Sequence, residues 1–157
     1  MRRNVVIGCV GLRGSGKSTA LREILCCRSR LVVMDVMGEH RFGETVSDLE
    51  EAFEVLDLAQ EREKFALTIQ PGRGNLADLV DAICDYVFEI SDLTLALEEV
   101  PHYATASSMP EGLEVLARMG GEWNANLGLL ICDPRSVQVP AGTLPGKASP
   151  FQYPRLS

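Results

Sequence analysis

Apolar residues in this chain fall into short unbroken blocks, and the stretches between the blocks repeat with a helical period. Residues 4–10, 31–35, 65–70, 93–97 and 126–132 are the blocks. Each is too short for a buried helix, and near-continuous apolar character suits strands covered on both faces. Residues 17–27 read as the first helix. Val46, Leu49, Phe53 and Leu56 then fall on one helical stripe, with Glu50, Glu51, Glu54 and Asp57 on the outer side as a solvated acidic face. This helix is expected to start near Thr45, where Asp48 three residues on is a near match to a capping box. Asn75 is placed to cap a helix carrying Leu76, Leu79, Val80, Ile83 and Val87 on one face and Asp78, Asp81 and Asp85 on the other. Residues 101–110 read as a loop and 111–119 as a short helix. Strands alternating with helices in this way predict an α/β fold, three layers deep, with a mostly parallel central sheet.

The junction of the first block and the first helix carries the most specific signal. Gly11-Leu12-Arg13-Gly14-Ser15-Gly16-Lys17-Ser18 has the form G-x-x-x-x-G-K-S, a phosphate-binding loop set between strand and helix. Glycines let the backbone curl so that its N–H groups point inward at an anion. The helix N-terminus behind adds unpaired N–H groups and partial positive charge. The pattern assigns nucleotide contacts to Arg13, Gly14, Ser15, Gly16, Lys17, Ser18 and Thr19. Lys17 would reach the β- and γ-phosphates of ATP, and the Ser18 hydroxyl would bind Mg²⁺.

Two strand ends supply further candidates. The block at 93–97 runs into Glu98-Glu99, an apolar strand ending in paired acids. In a nucleoside triphosphatase, the first acid of such a pair anchors the metal shell and the second orients the attacking water, so Glu98 is read as a metal ligand and Glu99 as the base. The bland alternative is a solvated pair capping the next turn. Asp35 ends the second block on the same rim, where a turn or cap role is the commoner one. His102 and Tyr103 follow the acidic pair in the loop; a histidine there is usually a surface residue.

Composition narrows the picture. A chain of 157 residues suits one domain, and 46% hydrophobic residues argue against disorder. No apolar run reaches the length of a membrane span. Met1-Arg2-Arg3 leads straight into the strand and loop without a cleavage-like site, so no signal peptide is read there. The five cysteines lack metal-site spacing, which predicts buried reduced thiols and a cytoplasmic protein. A net charge of −7 disfavours a whole-surface grip on nucleic acid but leaves room for a local basic groove. From Asp133 on, prolines concentrate and periodicity ends. The expected organisation is a P-loop ATPase domain over 1–132 and an extended or disordered tail over 133–157.

Residues 4–132 resemble the additional-strand, RecA-like ATPases, and within them the FtsK/HerA/VirB4 group of DNA translocases, conjugation ATPases and genome-packaging ATPases. Three stretches carry the resemblance: residues 11–18; Val33-Met34-Asp35-Val36-Met37-Gly38-Glu39-His40, similar to an Asp-Pro-x-Gly-Glu-Tyr-like segment; and Leu95-Ala96-Leu97-Glu98-Glu99 with the His-Tyr loop behind it. The resemblance implies a ring-forming homo-oligomer that couples ATP hydrolysis to DNA movement. It also exposes departures. Gly121 stands where the group carries a finger arginine, with Arg118 the nearest substitute, and Asp133 stands where it carries a polar sensor. A closing strand is missing, so the C-terminal part of the fold is expected to be incomplete, as in a truncated or diverged member or one with a shifted reading frame after about Cys132.

The residues leave three functions open. The first is a translocase-like ATPase, a nucleoside triphosphate hydrolase. A second is a small-molecule kinase, although the region 101–126 holds a single arginine, Arg118, as lid material. The third is a nucleotide-binding module without turnover, favoured by Gly121 and Asp133.

Overall fold

The computed structural model describes residues 5–9, 16–90, 92–105, 107–119 and 128–132. Strands and helices alternate along them: β1 Val5–Cys9, α1 Lys17–Leu25, β2 Arg30–Met34, β3 Glu44–Val46, α2 Leu49–Ala59, β4 Phe65–Ile69, α3 Leu76–Phe88, β5 Thr94–Leu97, α4 Glu111–Met119 and β6 Gly128–Cys132. One turn of 3-10 helix, Val100–His102, follows β5. The strands form two ladders, β3-β4-β2-β5 and β1-β6, and every pairing in them is parallel. β6 runs alongside β5, which brings the two ladders together. β1, the strand before the glycine-rich stretch, therefore pairs with β6, while the acid-tipped β5 pairs with β2.

Period-2 alternation sorts the strand residues onto two faces. Leu31 and Val33 of β2 and Ala96 of β5 pack with Leu21 and Leu25 of α1. The intervening Val32 and Met34, with Leu67, Ile69, Leu95 and Leu97, pack under α2, α3 and α4. The result is three layers: α1, the sheet, and the other helices. Each of these strand side chains is at most 1% exposed, so each valine, leucine, isoleucine and methionine among them contributes about 1.5–3 kcal/mol through removal from water.

The second helix begins later than expected. Glu44–Val46 is a strand paired with β4, and α2 starts at Leu49. Asp48 is its N-cap, accepting from the Glu51 amide at 2.9 Å. Val46 fitted the helical stripe because it enters the same core as Leu56, from a strand end. Asn75 does cap α3, accepting from the Ala77 amide at 3.1 Å. The acidic faces differ in kind. Glu50, Glu51, Glu54 and Asp57 are exposed on α2, whereas Asp81 of α3 accepts from the Gly112 amide at the start of α4, 2.5 Å away.

The cysteines also depart from expectation. Cys84 is buried, and burial pushes its thiol pKa far up. Cys26 and Cys27 are exposed at the end of α1, beyond its last buried residue Leu25. The side chains of Cys9 and Cys132, and the whole of 133–157, lie outside the described residues.

Candidate functional site

Parallel strands point their carboxyl ends at one rim, and in open α/β sheets that rim is where ligands bind. Asp35 and Glu98 follow β2 and β5 directly, and Gly16 opens α1 on the same side. Gly16 has φ +86°, a left-handed turn into the helix that a side chain would resist. Lys17 is half-buried, and Ser18 and Thr19 are exposed on the first turn. Arg13, Gly14 and Ser15 lie outside the described residues.

Asp35 acts through the loop that follows it. Its carboxylate is fully buried and accepts from four donors: the amides of Gly38 at 2.9 Å, Glu39 at 3.1 Å and His40 at 2.8 Å, and Gln70 Nε2 at 3.1 Å. Gln70 Nε2 also donates to the His40 carbonyl, at 3.1 Å. Burial pushes the Asp35 carboxyl up, but these donors outweigh it and hold the pKa below its ordinary value. Two residues farther on, Thr68 Oγ1 accepts from the Phe42 amide at 2.8 Å and donates to the Phe42 carbonyl at 2.9 Å. Gly43 then crosses β4 at φ +63°, where a Cβ would collide with the Ala66 carbonyl.

This clamped loop joins the two halves of the rim. Glu39 Oε2 receives the Ser18 hydroxyl at 3.5 Å. The next residue, His40, is 1% exposed and places Nε2 2.5 Å from Glu98 Oε1. The two atoms are in close contact, but neither ring nitrogen of His40 makes a well-aligned hydrogen bond. The Glu98 contact raises the imidazole pKa against the opposing effect of burial. Burial raises the Glu98 carboxyl in turn, with a further push from Asp35 and a counter-pull from His40. The Glu98 backbone is pinned on both sides: its amide donates to the Met34 carbonyl at 3.1 Å, and its carbonyl accepts from the Tyr103 hydroxyl at 3.1 Å.

Glu99 is set apart from this group. It sits in the left-handed region at φ +49°, a conformation that costs a non-glycine residue about 1–3 kcal/mol. Its carboxylate is 4.0 Å from His102 Nε2, and both side chains are well exposed. Arg118, the stand-in for the missing finger arginine, is exposed on α4 and paired with Glu114 at 2.6 Å. Gly121 and Asp133 lie outside the described residues.

Sequence reasoning gave the turn role as the commoner one for Asp35, and its carboxylate does fold the loop that follows it. It gave no role to Glu39 or His40. The available signal was an Asp at a strand end with a glycine three residues on, the mark of a carboxylate folding a loop onto itself.

No protein-family model matches the chain, and no curated protein matches its sequence. Solved structures do match in fold. The genome packaging NTPase B204 from Sulfolobus turreted icosahedral virus 2, in complex with ATP-gammaS, superposes with a TM-score of 0.61 at 14% sequence identity, over 86% of this chain and 66% of that one. The same NTPase in complex with AMPPCP gives 0.57 at 15% identity, over 82% of this chain and 63% of that one. With AMP it gives 0.58 at 15%, over 85% and 66%. The chain thus spans just under two thirds of that protein's length. The shared property is the fold, that of a P-loop NTPase.

Proposed function

We propose that this chain is the ATP-binding domain of a translocase-like P-loop ATPase, which couples ATP hydrolysis to DNA movement as part of a homo-oligomeric ring. The observation that carries the reading is the rim itself. The residue after the motif lysine, Ser18, and the strand-tip acid Glu98 are both met by consecutive residues of one clamped loop, Glu39 and His40. The likeness in fold to a packaging NTPase crystallised with ATP-gammaS and AMPPCP supports it.

The donor set fits magnesium. Ser18, Glu39 and Glu98 offer only hard oxygen ligands at this rim. No group of three or more potential metal ligands is preassembled among the described residues, and Mg²⁺ is ordinarily held by one or two carboxylates together with substrate phosphates. When bound, the ion neutralises charge developing on the β- and γ-oxygens. In this reading the backbone amides before Lys17 cradle the phosphates, and Lys17 reaches the β- and γ-phosphates. Ser18 and Glu98 would hold the ion. Glu99, turned outward and strained, swings from His102 to accept a proton from the attacking water.

Lys17→Ala is expected to abolish binding of a fluorescent ATP analogue. Glu99→Gln is expected to retain binding within about threefold and to lower phosphate release at least about a hundredfold. Equal loss of binding in both variants removes the assigned roles. Tight binding by the wild type with no phosphate release, with or without DNA, selects the module without turnover; transfer of phosphate to a small acceptor selects a kinase.

A further inference from the structure

We propose that His40 is a positioning residue for Glu98: its buried imidazole fixes the strand-tip carboxylate in the orientation from which it takes part in metal–nucleotide binding. This rests on the reading of Glu98 given above.

The histidine does not face solvent, since it is 1% exposed, so direct contact with a bound nucleotide is not its route of action. What it has is an over-determined position. Its amide is held by Asp35 and its carbonyl by Gln70. Its ring stacks on Phe42, centroids 5.9 Å apart and planes inclined by 21°, and Phe42 is itself held at both backbone groups by Thr68. Its two backbone bonds and its stacking on Phe42 hold Nε2 beside Glu98 Oε1.

Glu98 needs such a partner. Its backbone is fixed, but a glutamate carries three side-chain rotations beyond the backbone, and no backbone amide meets its carboxylate among the described residues. His40 removes that freedom from Oε1, beside the Asp35 carboxyl that also bears on Glu98. An ordinary core histidine would have both ring nitrogens satisfied, whereas His40 Nδ1 has no partner and Nε2 has only its close, poorly aligned contact with Glu98. A leucine or phenylalanine would fill the site without an orphaned polar atom. The imidazole is therefore a poor choice for packing and a good one for steering a carboxylate, as residues behind metal ligands do.

The test is the magnesium dependence of fluorescent ATP-analogue binding by the full chain, measured against an EDTA baseline, for His40→Leu, His40→Asn and His40→Gln. The glutamine amide reaches the place of Nε2; the asparagine amide is too short. Leu and Asn are expected to keep the wild-type affinity in EDTA and to raise the half-saturating Mg²⁺ concentration about tenfold. Gln is expected to restore it to within about threefold. The effect of Leu should vanish in a Glu98→Gln background, because the two residues act as one unit. If Leu does not fold, the Asn and Gln pair gives the same contrast. An unchanged Mg²⁺ dependence in Asn or Leu, or no rescue by Gln, overturns the proposal while Glu98→Gln still loses its Mg²⁺ response. Magnesium-independent binding by the wild type, or an unaltered response in Glu98→Gln, overturns it together with the reading of Glu98.

Discussion

Asp35 and Glu98 occupy equivalent places: each follows the last residue of one of two neighbouring parallel strands, each on the same rim, and each is buried, at 0% and 6% exposure. Their chemistry is opposite. The Asp35 pKa is lowered and the Glu98 pKa is raised. The difference lies in the donors that meet them. Four N–H groups from the chain's own loop and from Gln70 spend the accepting capacity of Asp35 on internal structure. Glu98 meets an imidazole and the flank of Asp35, and no amide among the described residues. A buried carboxylate fully supplied by its own backbone is an anchor. One left partly supplied is a candidate for something that arrives from outside.

Substitution should separate the two most sharply. Asp35→Ala leaves three backbone amides and the Gln70 amide without their acceptor, and is expected to cost at least about 4 kcal/mol in urea unfolding. Glu98→Gln keeps an acceptor for His40 and removes a carboxylate that burial disfavours; its stability should stay within about 1 kcal/mol of the wild type. Comparable losses in both would erase the distinction.

A smaller effect is expected at the far end of the loop. Thr68→Val removes the hydroxyl that serves both Phe42 backbone groups, at a cost of about 1–2 kcal/mol. Because Phe42 stacks on His40, the same variant should also weaken Mg²⁺-dependent nucleotide binding. Lost stability with an unaltered Mg²⁺ response would show that the anchor and the rim are uncoupled.

The smallest effect is one of pH. A carboxyl whose folded pKa is lowered contributes stability that is complete above its ordinary value, 3.8, and is lost as pH falls through the folded value. A raised imidazole contributes stability that is complete below its ordinary value, 6.5, and is lost as pH rises through the folded value. The raised Glu98 acts in the same direction as His40, its contribution falling as pH rises from 4.5. Thermal melts should therefore peak in weakly acidic solution. Asp35→Asn should flatten the acid limb and Glu98→Gln the alkaline one; an alkaline limb that survives Glu98→Gln has another source.

Much of the fold was legible because its signals are local. The buried blocks, the Asn75 cap and the Pro71-Gly72 stop after β4 each act within a few residues. β3 escaped because it is three residues long with only Val46 buried, and that valine shares a core with the helix behind it. In the site, the glycine-lysine-serine spacing and the acidic strand end could be read, since each is a property of one segment. The His40–Glu98 contact joins residues 58 positions apart (98 − 40) through a loop whose shape is set by Asp35. No spacing rule encodes that. Cys26 and Cys27 were misjudged for a related reason: which face of α1 continues past Leu25 depends on where the helix stops.

The pairing of β1 with β6 has a consequence for how the molecule is made. Val5 finds its described ladder partner in Gly128, near the opposite end of the chain, whereas β2, β4 and β5 lie closer together in sequence. During synthesis the central strands and α3 emerge in time to assemble with one another, but β1 waits for β6. A ribosome stalled before that point would hold a core able to collapse yet unable to seat its first strand, so the sheet would be completed late.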